Sequence, residues 1–153
     1  MLTYSIEPIG EIWDEFMVLA RAHWSETESY RHQNQPLNPS KDRYVQYEKG
    51  GWYKEFTARN ESGELVGHIG MYVMPSMHSQ CLVASEDTLY ILPEYRKGRN
   101  ALNLMKYVEA EMRKLGVVEI SASTKPVNNA GRLLEYMGYV LATNGYSKHL
   151  KYE

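Results

Sequence analysis

The spacing of apolar residues changes twice along this chain, and this change limits the folds that it can adopt. Between Ile9 and Trp24 apolar residues recur every three or four positions, which is the period of an α-helix. From residue 52 to 92 they follow the period of strands, and from 101 to 115 the helical spacing returns. Helices on either side of a run of strands predict an α+β fold, in which helices flank a mixed sheet.

Local signals divide these regions into elements. Ser40 can cap a short helix that Gly50 and Gly51 would end. The predicted order is β-α-α-β-β-β-α-β-α-β-β. The first half of this order comprises a first strand, helices 9–24 and 41–50, and strands 52–59, 64–74 and 80–92. The second half comprises helix 101–115, strand 117–123 and helix 128–137. A last pair of strands lies within 139–152 and turns near Asn144-Gly145. The polar stretch 25–40 is the expected flexible connection.

Composition excludes several classes of protein. With 153 residues, of which 43% are hydrophobic, we expect a single domain over 1–153 with one core. The lone Cys81 excludes an internal disulfide, and the five histidines lack paired spacing, so we expect no metal site. A formal charge of −2 makes nucleic acid an unfavourable partner. The N-terminus resembles no signal peptide and no apolar run reaches membrane-spanning length, so we expect a cytoplasmic protein with no membrane partner.

The segment 88–115 carries the clearest chemical signal. A strand leads through a short basic turn, which contains Arg96, Lys97, Gly98 and Arg99, into the first turn of the strongest predicted helix. Unpaired N–H groups at a helix N-terminus stabilise an anion, and basic side chains add positive charge. The pattern indicates a phosphate-binding loop. The alternative is a surface loop whose basic residues are solvated.

Two motifs resemble those of the GNAT acetyltransferases. Arg96–Ala101, which follows Leu92-Pro93-Glu94-Tyr95, is similar to the family's Arg/Gln-x-x-Gly-x-Gly/Ala signature, and the segment 128–139 is similar to its asparagine-to-Gly-Phe helix. The element order agrees, and the run 36–75 resembles small phage-encoded members. The resemblance implies a GNAT-like acyl-CoA N-acyltransferase fold with a mostly antiparallel sheet, and acetyl-CoA as cofactor.

The resemblance also implies where acetyl-CoA would bind. In the family two parallel strands part and hold the pantetheine arm, and here these would be Thr88–Leu92 and Ile120–Ser123. Backbone N–H groups near Tyr90 to Leu92 would bind the acyl carbonyl. The implied cofactor-binding residues are Leu89, Tyr90, Ile91, Leu92, Arg96, Lys97, Gly98, Arg99, Asn100, Ala101, Asn128 and Arg132.

This sequence departs from the family's pattern at two positions. Arg99 stands where the first glycine is usual, and Leu134 stands where many members carry the tyrosine that protonates the leaving thiolate. Tyr146, on a predicted late strand, is a candidate catalytic residue in its place. The alternative for Tyr146 is a packing ring.

Candidate catalytic carboxylates lie on the strand before the loop. Glu86 and Asp87 are neighbours, so on a regular strand they point to opposite faces and only one can look into the cleft. Either could be a general base, and the alternative for both is a hydrogen-bonded structural acid. On the substrate side, Glu26 and Glu28 could recognise a cationic amine. His78, on the turn before this strand, is a further substrate-side candidate whose imidazole suits proton transfer. The alternative for all three is a solvated surface residue.

The expected reaction is transfer of an acetyl group to a primary amine by direct attack in a ternary complex, without a covalent enzyme intermediate. The acceptor would be a small molecule or a protein amine, and a homodimer is possible. The alternative is a degenerate family member that binds coenzyme A or a protein partner without turnover, since the scaffold alone does not decide function.

Overall fold

The computed structural model describes residues 1–28 and 35–150 of the chain. Its strands are β1 (Thr3–Ile6), β2 (Tyr53–Arg59), β3 (Leu65–Pro75), β4 (Leu82–Ile91) and β5 (Glu119–Ser121). Its α-helices are α1 (Trp13–His23), α2 (Lys41–Lys49), α3 (Asn100–Lys114) and α4 (Ala130–Tyr136). A π-helical turn, Trp24–Glu28, extends α1, and a 3-10 turn, Pro93–Tyr95, precedes α3.

The described strands form one mixed sheet in which spatial order equals chain order, β1 to β5. Neighbouring strands from β1 to β4 are antiparallel, and β4 and β5 are parallel. The turn between β2 and β3 is stabilised by Asn60, whose Oδ1 accepts hydrogen bonds from the N–H groups of Ser62 and Glu64 at 3.0 and 2.9 Å. The predicted α+β fold with a mixed, mostly antiparallel sheet is confirmed.

Helices cover both faces of the sheet because successive strand residues point to opposite sides. One face carries Phe56, Ile69 and Ile91 and packs on the apolar stripe of α3. The other face carries Tyr53 and Tyr90, which pack against α1 and its neighbours. This arrangement explains why nearly all of β3 is buried, from Leu65 to Met71.

The helix boundaries follow the signals in the sequence. Ser40 Oγ accepts a hydrogen bond from the N–H of Arg43 at 3.3 Å and so caps α2. Gly116 follows Leu115, the C-cap of α3, at a φ of +86°, a left-handed conformation that glycine adopts without steric cost. The predicted ends of α2 and α3 agree with the structure to within one or two residues.

The predicted last pair of strands is wrong for the part of 139–152 that the structure describes. Residues 139–149 form neither helix nor strand, and Val140, Leu141 and Tyr146 are exposed. Alternating apolar residues form a strand only where a neighbouring strand supplies ladder hydrogen bonds and a buried face. Residues 151 and 152 lie outside the described residues, as do residues 29–34 of the stretch predicted to be flexible. Residues 25–28 of that stretch are helical instead.

Candidate active site

A cavity opens where β4 and β5 part. The parallel ladder pairs Val83, Ala84 and Ser85 with Glu119, Ile120 and Ser121 and then stops, whereas β4 continues to Ile91. Beside this point lies a cavity of about 310 Å³ that is lined by residues of both strands, α1 and α4. Thr88 and Leu89 line it from β4, and Ile120 and Ser123 line it from the β5 side. The parting of these two segments agrees with the expectation from the sequence.

A β-bulge brings both candidate carboxylates to this cavity. On β3, Gly70 pairs with Thr88 and Met71 pairs with Glu86, so Asp87 is the extra residue of β4. A bulge interrupts the two-residue alternation of a strand. Glu86 and Asp87 therefore both line the cavity. The prediction that only one of them faces the cleft is wrong, because the bulge breaks the regular alternation of side chains along β4.

The cavity carboxylates have specific partners. Tyr44 donates a hydrogen bond to Asp87 Oδ2 at 2.8 Å, and the N–H of Ser123 donates to Glu86 Oε2 at 3.2 Å. Burial raises the pKa of Glu86, although the Ser123 N–H acts in the opposite direction. Lys125 Nζ lies 3.2 Å from Glu28 Oε1 at the same cavity. The cavity is thus rich in carboxylates and carries one ammonium group among its lining residues.

The basic loop lies between β4 and α3 and is open to solvent. Lys97, Gly98 and Arg99 are exposed, and Gly98 has a φ of +68° with no atom within 4 Å of a Cβ built on it. The N-cap residue of α3, Arg99, makes no side-chain capping hydrogen bond. The first N–H groups of a helix have no intrahelical partner. This loop and the start of α3, including Asn100 and Ala101, therefore have the properties of an anion site.

Arg96 differs from the other basic residues of the loop because protein groups already hold its guanidinium. Nη1 and Nη2 donate to the two carboxylate oxygens of Glu26 at 2.6 and 2.7 Å, and Nε donates to the carbonyl of Ile91 at 2.7 Å. Tyr90 also donates to Glu26, at 3.0 Å. These hydrogen bonds, that of Arg96 foremost, lower the pKa of Glu26. The structure thus joins a predicted cofactor residue to a predicted substrate residue.

The backbone of β4 narrows the choice of groups that could bind an acyl carbonyl. The N–H of Leu92 donates to the carbonyl of Val66 on β3 at 2.9 Å, so it is not free for a ligand. Because N–H groups alternate in direction along a strand, that of Tyr90 also points to β3. The N–H groups of Leu89 and Ile91 point to the opposite edge, beyond the end of the β5 ladder. Of the predicted donors Tyr90 to Leu92, the structure therefore leaves the N–H of Ile91, and that of Leu89 is available beside it.

The remaining predicted site residues are divided between cavity and surface. Asn128 lines the cavity, and it accepts a hydrogen bond from the N–H of Ala130 at 3.0 Å at the start of α4. Arg132, in the first turn of α4, is exposed. Leu134 lines the cavity as well. His78 and Tyr146 are exposed and are not among the lining residues, so the structure does not bring them to this site.

Four residues at or beside the cavity were not predicted from the sequence. His68 and Tyr44 line it, and a buried hydrogen-bonded chain runs from Tyr53 through Glu55 to His68. Glu55 and His68 are 0% and 1% exposed. The sequence did contain a signal for Glu55 and His68, because both place an ionisable side chain in a predicted strand. Such side chains are rarely buried without a partner.

The family of the chain follows from comparison with known proteins. The model of the acetyltransferase (GNAT) family matches residues 11–139, which is most of the chain. The chain therefore belongs to the GNAT family and is an acetyltransferase of that family. No curated protein matches the chain.

Solved structures show the same fold at low sequence identity. A ribosomal-protein-alanine N-acetyltransferase from Brucella melitensis biovar Abortus 2308 is 15% identical, with a TM-score of 0.75 over 97% of this chain and 99% of that one. An aminoglycoside acetyltransferase from an uncultured soil metagenomic sample, solved with sisomicin, is 14% identical, with a TM-score of 0.75 over 97% and 96%. A transcriptional regulator from Bacillus halodurans C-125 is 19% identical, with a TM-score of 0.77 over 98% and 100%. At these identities the likeness shows the fold alone.

Neither a membrane-spanning helix nor a metal-binding cluster occurs in the described part of the chain. Among residues 1–28 and 35–150, no helix combines the length and the apolar character that crossing a bilayer requires. In the same residues, no group of three or more His, Cys, Asp and Glu side chains is arranged to hold a metal ion.

Proposed function

We propose that this protein transfers the acetyl group of acetyl-CoA to a primary amine by direct attack in a ternary complex. The observation that carries the proposal is the parting of β4 from β5 after Ser85, which opens a cavity near a solvent-exposed basic loop. Bound acetyl-CoA would supply an activated acyl group whose thiolate is a good leaving group. The chain's own residues would bind both reactants and accept the amine proton.

The residues present fit acetyl-CoA. Lys97, Gly98, Arg99 and the start of α3 would hold the pyrophosphate, since they offer exposed positive charge and helix N-terminal N–H groups. The N–H groups of Leu89 and Ile91, at the open edge of β4, would bind the acyl carbonyl. Asn128 lies beside the cavity, in a position suited to contact with the pantetheine arm. Arg132 lies on the surface of α4, in a position suited to the periphery of the cofactor.

The acceptor side of the cavity suits a cationic amine. Glu28, Glu86 and Asp87 line it together, and carboxylates attract an ammonium group. Either Glu86 or Asp87 could also take the proton of the bound amine, as the sequence suggested. Cys81 is exposed and does not line the cavity, in agreement with a route that needs no covalent enzyme intermediate.

Calorimetry of acetyl-CoA binding tests the cofactor site, with a matched pair of variants. Gly98 and Gly116 both have a positive φ and no atom within 4 Å of an added Cβ. Gly98→Glu and Gly116→Glu therefore introduce the same charge and similar strain at different places. We expect Gly98→Glu to abolish binding and Gly116→Glu to retain the affinity of the wild type. Equal affinity of all three proteins would contradict the proposed cofactor site.

Release of free thiol in the presence of amines tests turnover. Two relatives of the same fold are described as a ribosomal-protein-alanine N-acetyltransferase and an aminoglycoside acetyltransferase, so a peptide with an N-terminal alanine and sisomicin are rational probes. A lysine peptide and a linear diamine complete the set. Faster thiol release with any of these amines than without one supports the proposal.

A second candidate is a protein that binds coenzyme A or a protein partner without turnover. It is favoured by Leu134, an apolar residue at the cavity where many family members have a tyrosine, and by the exposure of Tyr146. Tight binding of acetyl-CoA without amine-dependent thiol release would favour this second function. Three predictions from the sequence stay predictions: the phage-type resemblance, the cytoplasmic location and a homodimer. Analytical ultracentrifugation tests the homodimer.

A further inference from the structure

A buried chain of polar groups leads from β2 to the cavity. Tyr53 donates a hydrogen bond to Glu55 Oε2, and Glu55 Oε1 lies 2.7 Å from His68 Nδ1. All three residues are at most 1% exposed. The glycine at position 70 accommodates this chain, because a Cβ there would overlap with the Tyr53 hydroxyl.

Glu55 determines which ring nitrogen of His68 carries the proton. An ionised carboxylate only accepts hydrogen bonds, and Glu55 accepts one from Tyr53 on its second oxygen. With Glu55 in its ionised form, the contact with Nδ1 requires a proton on Nδ1. In a neutral imidazole the other nitrogen, Nε2, then has a free lone pair.

His68 Nε2 lies on the side of the ring away from Glu55, and the cavity lies beyond that flank of β3. Glu55 lies on β2, on one flank of β3, whereas the cavity residues Thr88 and Leu89 lie on β4, on the other flank. His68 lines the cavity, and His68 Nε2 and Thr88 Oγ1 are buried without a hydrogen-bond partner among the described residues. Buried polar atoms normally have a partner. Two such atoms on residues that line one cavity point to polar partners, from a ligand or from water, that the described residues do not supply.

We propose that His68 is the general base that deprotonates the acceptor amine through Nε2, directly or across one water, and that Glu55 and Tyr53 are positioning residues that hold the ring in this tautomer. The proposal rests on the proposed function and names a proton acceptor other than Glu86 and Asp87. These carboxylates then bind the ammonium form of the amine. A base within reach of the proton, either directly or through one water, has the geometry that general base catalysis requires.

The step balances in atoms and charge. The bound ammonium group loses one proton to His68 Nε2, and the resulting neutral amine forms a bond to the acetyl carbon while the bond from that carbon to the thioester sulfur breaks. The nitrogen then loses its second proton to solvent. The electron pair leaves with the sulfur, which takes up a proton from solvent. His68 returns its proton to solvent through the open side of the cavity, and no oxidant or further reactant is needed.

Several titratable groups besides Glu55 and Tyr53 face the same space. They are His23 on α1, Glu28 on the π-helical turn, Tyr44 on α2, Glu86 and Asp87 on β4, and Lys125 after β5. The test must therefore separate His68 from Glu86 as the group whose protonation stops the reaction.

Steady-state kinetics with His68→Gln, Glu86→Gln and the control His149→Gln separate these groups. His149 is not a lining residue of the cavity. With the amine that gives the fastest thiol release, we expect kcat of His68→Gln to fall about 100-fold or more, the usual contribution of a general base, with unchanged acetyl-CoA affinity by calorimetry. The decline of kcat/KM at acid pH persists in Glu86→Gln and disappears in His68→Gln. A His68→Gln enzyme within about threefold of wild type would overturn the assignment and leave the acetyltransferase proposal intact.

A spectroscopic measurement on the unmodified protein needs no acceptor and covers the case in which the variant does not fold. Long-range 1H–15N correlation of 15N-histidine-labelled protein reports the tautomer of each ring. We expect the proton of neutral His68 on Nδ1, and its transfer to Nε2 in Glu55→Gln, because Tyr53 would donate to the amide oxygen and leave the amide NH2 facing Nδ1. A proton on Nε2 in the wild type would contradict the proposal. If no amine is turned over while acetyl-CoA binds, the proposed function fails independently of this result.

Discussion

Arg96 and Glu26 face each other in a paired contact, Nη1 to Oε1 at 2.6 Å and Nη2 to Oε2 at 2.7 Å, which ties the basic loop to the helical turn after α1. The sequence predicts different ligands for the two residues, the cofactor for Arg96 and the amine for Glu26. Their side chains are 40% and 36% exposed, so solvent screens the pair. Its role is therefore to position the loop more than to stabilise the fold.

A double-mutant cycle measures the Arg96–Glu26 pair. We expect Glu26→Gln, Arg96→Gln and the double variant to give a coupling free energy of about 0.5–1 kcal/mol in urea unfolding. If Arg96 acts by positioning the loop, both single variants weaken acetyl-CoA binding by a similar factor in calorimetry. Weaker binding by Arg96→Gln alone would instead assign Arg96 a direct phosphate contact.

Glu86→Gln is expected to stabilise the protein at neutral pH while slowing turnover. Burial raises the pKa of Glu86, so the folded state favours the protonated form. The contribution of this group is then present below the pKa of an unfolded glutamate and is lost as the pH rises through its folded-state pKa. The neutral amide avoids that loss and can still accept the Ser123 N–H. We expect a Tm higher by about 1–4 °C at pH 7 and no gain at pH 4.

The exposed Glu135 on α4 provides the control for this measurement. Glu135→Gln removes the same charge without relieving any burial, so its Tm at pH 7 should match that of the wild type. An equal rise in both variants would mean that net charge, and not burial of Glu86, causes the stabilisation.

Arg59 holds two carboxylates that make stability depend on pH. It donates to Glu7 at 2.9 Å and to Glu15 at 2.8 Å. Partial burial alone would raise the pKa of Glu7, but hydrogen bonds from Arg59 and Thr57 lower it overall, and Arg59 also lowers that of Glu15. A depressed folded-state pKa gives stability that is present above the unfolded pKa and lost as the pH falls.

We therefore expect Arg59→Met to lower the free energy of unfolding by about 1–3 kcal/mol at pH 7. Between pH 5 and 3 the wild type loses more stability than the variant, because the variant has already lost the ion pairs. Urea unfolding at both pH values measures this difference. Parallel losses in the two proteins would show that other carboxylates control the acid transition.

Gly70→Ala tests the packing beneath the cavity. A Cβ at this position would overlap with the hydroxyl and ring of Tyr53. We expect a loss of about 1–3 kcal/mol in urea unfolding, the usual cost of overpacking a core, and a lower kcat because the Tyr53–Glu55–His68 chain shifts. Gly145→Ala, where no atom lies within 4 Å, should change neither quantity. Unchanged stability of Gly70→Ala would mean that Tyr53 moves aside freely.

Much of this architecture could be predicted from local patterns. The helical spacing from Ala101 to Leu115 predicted α3, the alternation after Trp52 predicted the β2–β3 hairpin, and Ser40 and Gly116 marked helix ends. These features depend on interactions within a few residues, which the order of side chains directly encodes. The motif Arg96–Ala101 likewise indicated the family whose model matches residues 11–139.

The composition of the cavity was decided by tertiary structure. The bulge at Asp87 depends on pairing between β3 and β4, the Arg96–Glu26 contact joins residues 70 positions apart, and the Glu55–His68 contact depends on the register of β2 and β3. The alternation after Tyr139 predicted strands that did not form, because a strand needs a partner edge. The sequence by itself determined most of the helices and strands, and the basic loop between β4 and α3, through local periodicity and capping. Only the packing of distant segments decided which ionisable groups share the cavity, because register and bulges arise from contacts between strands.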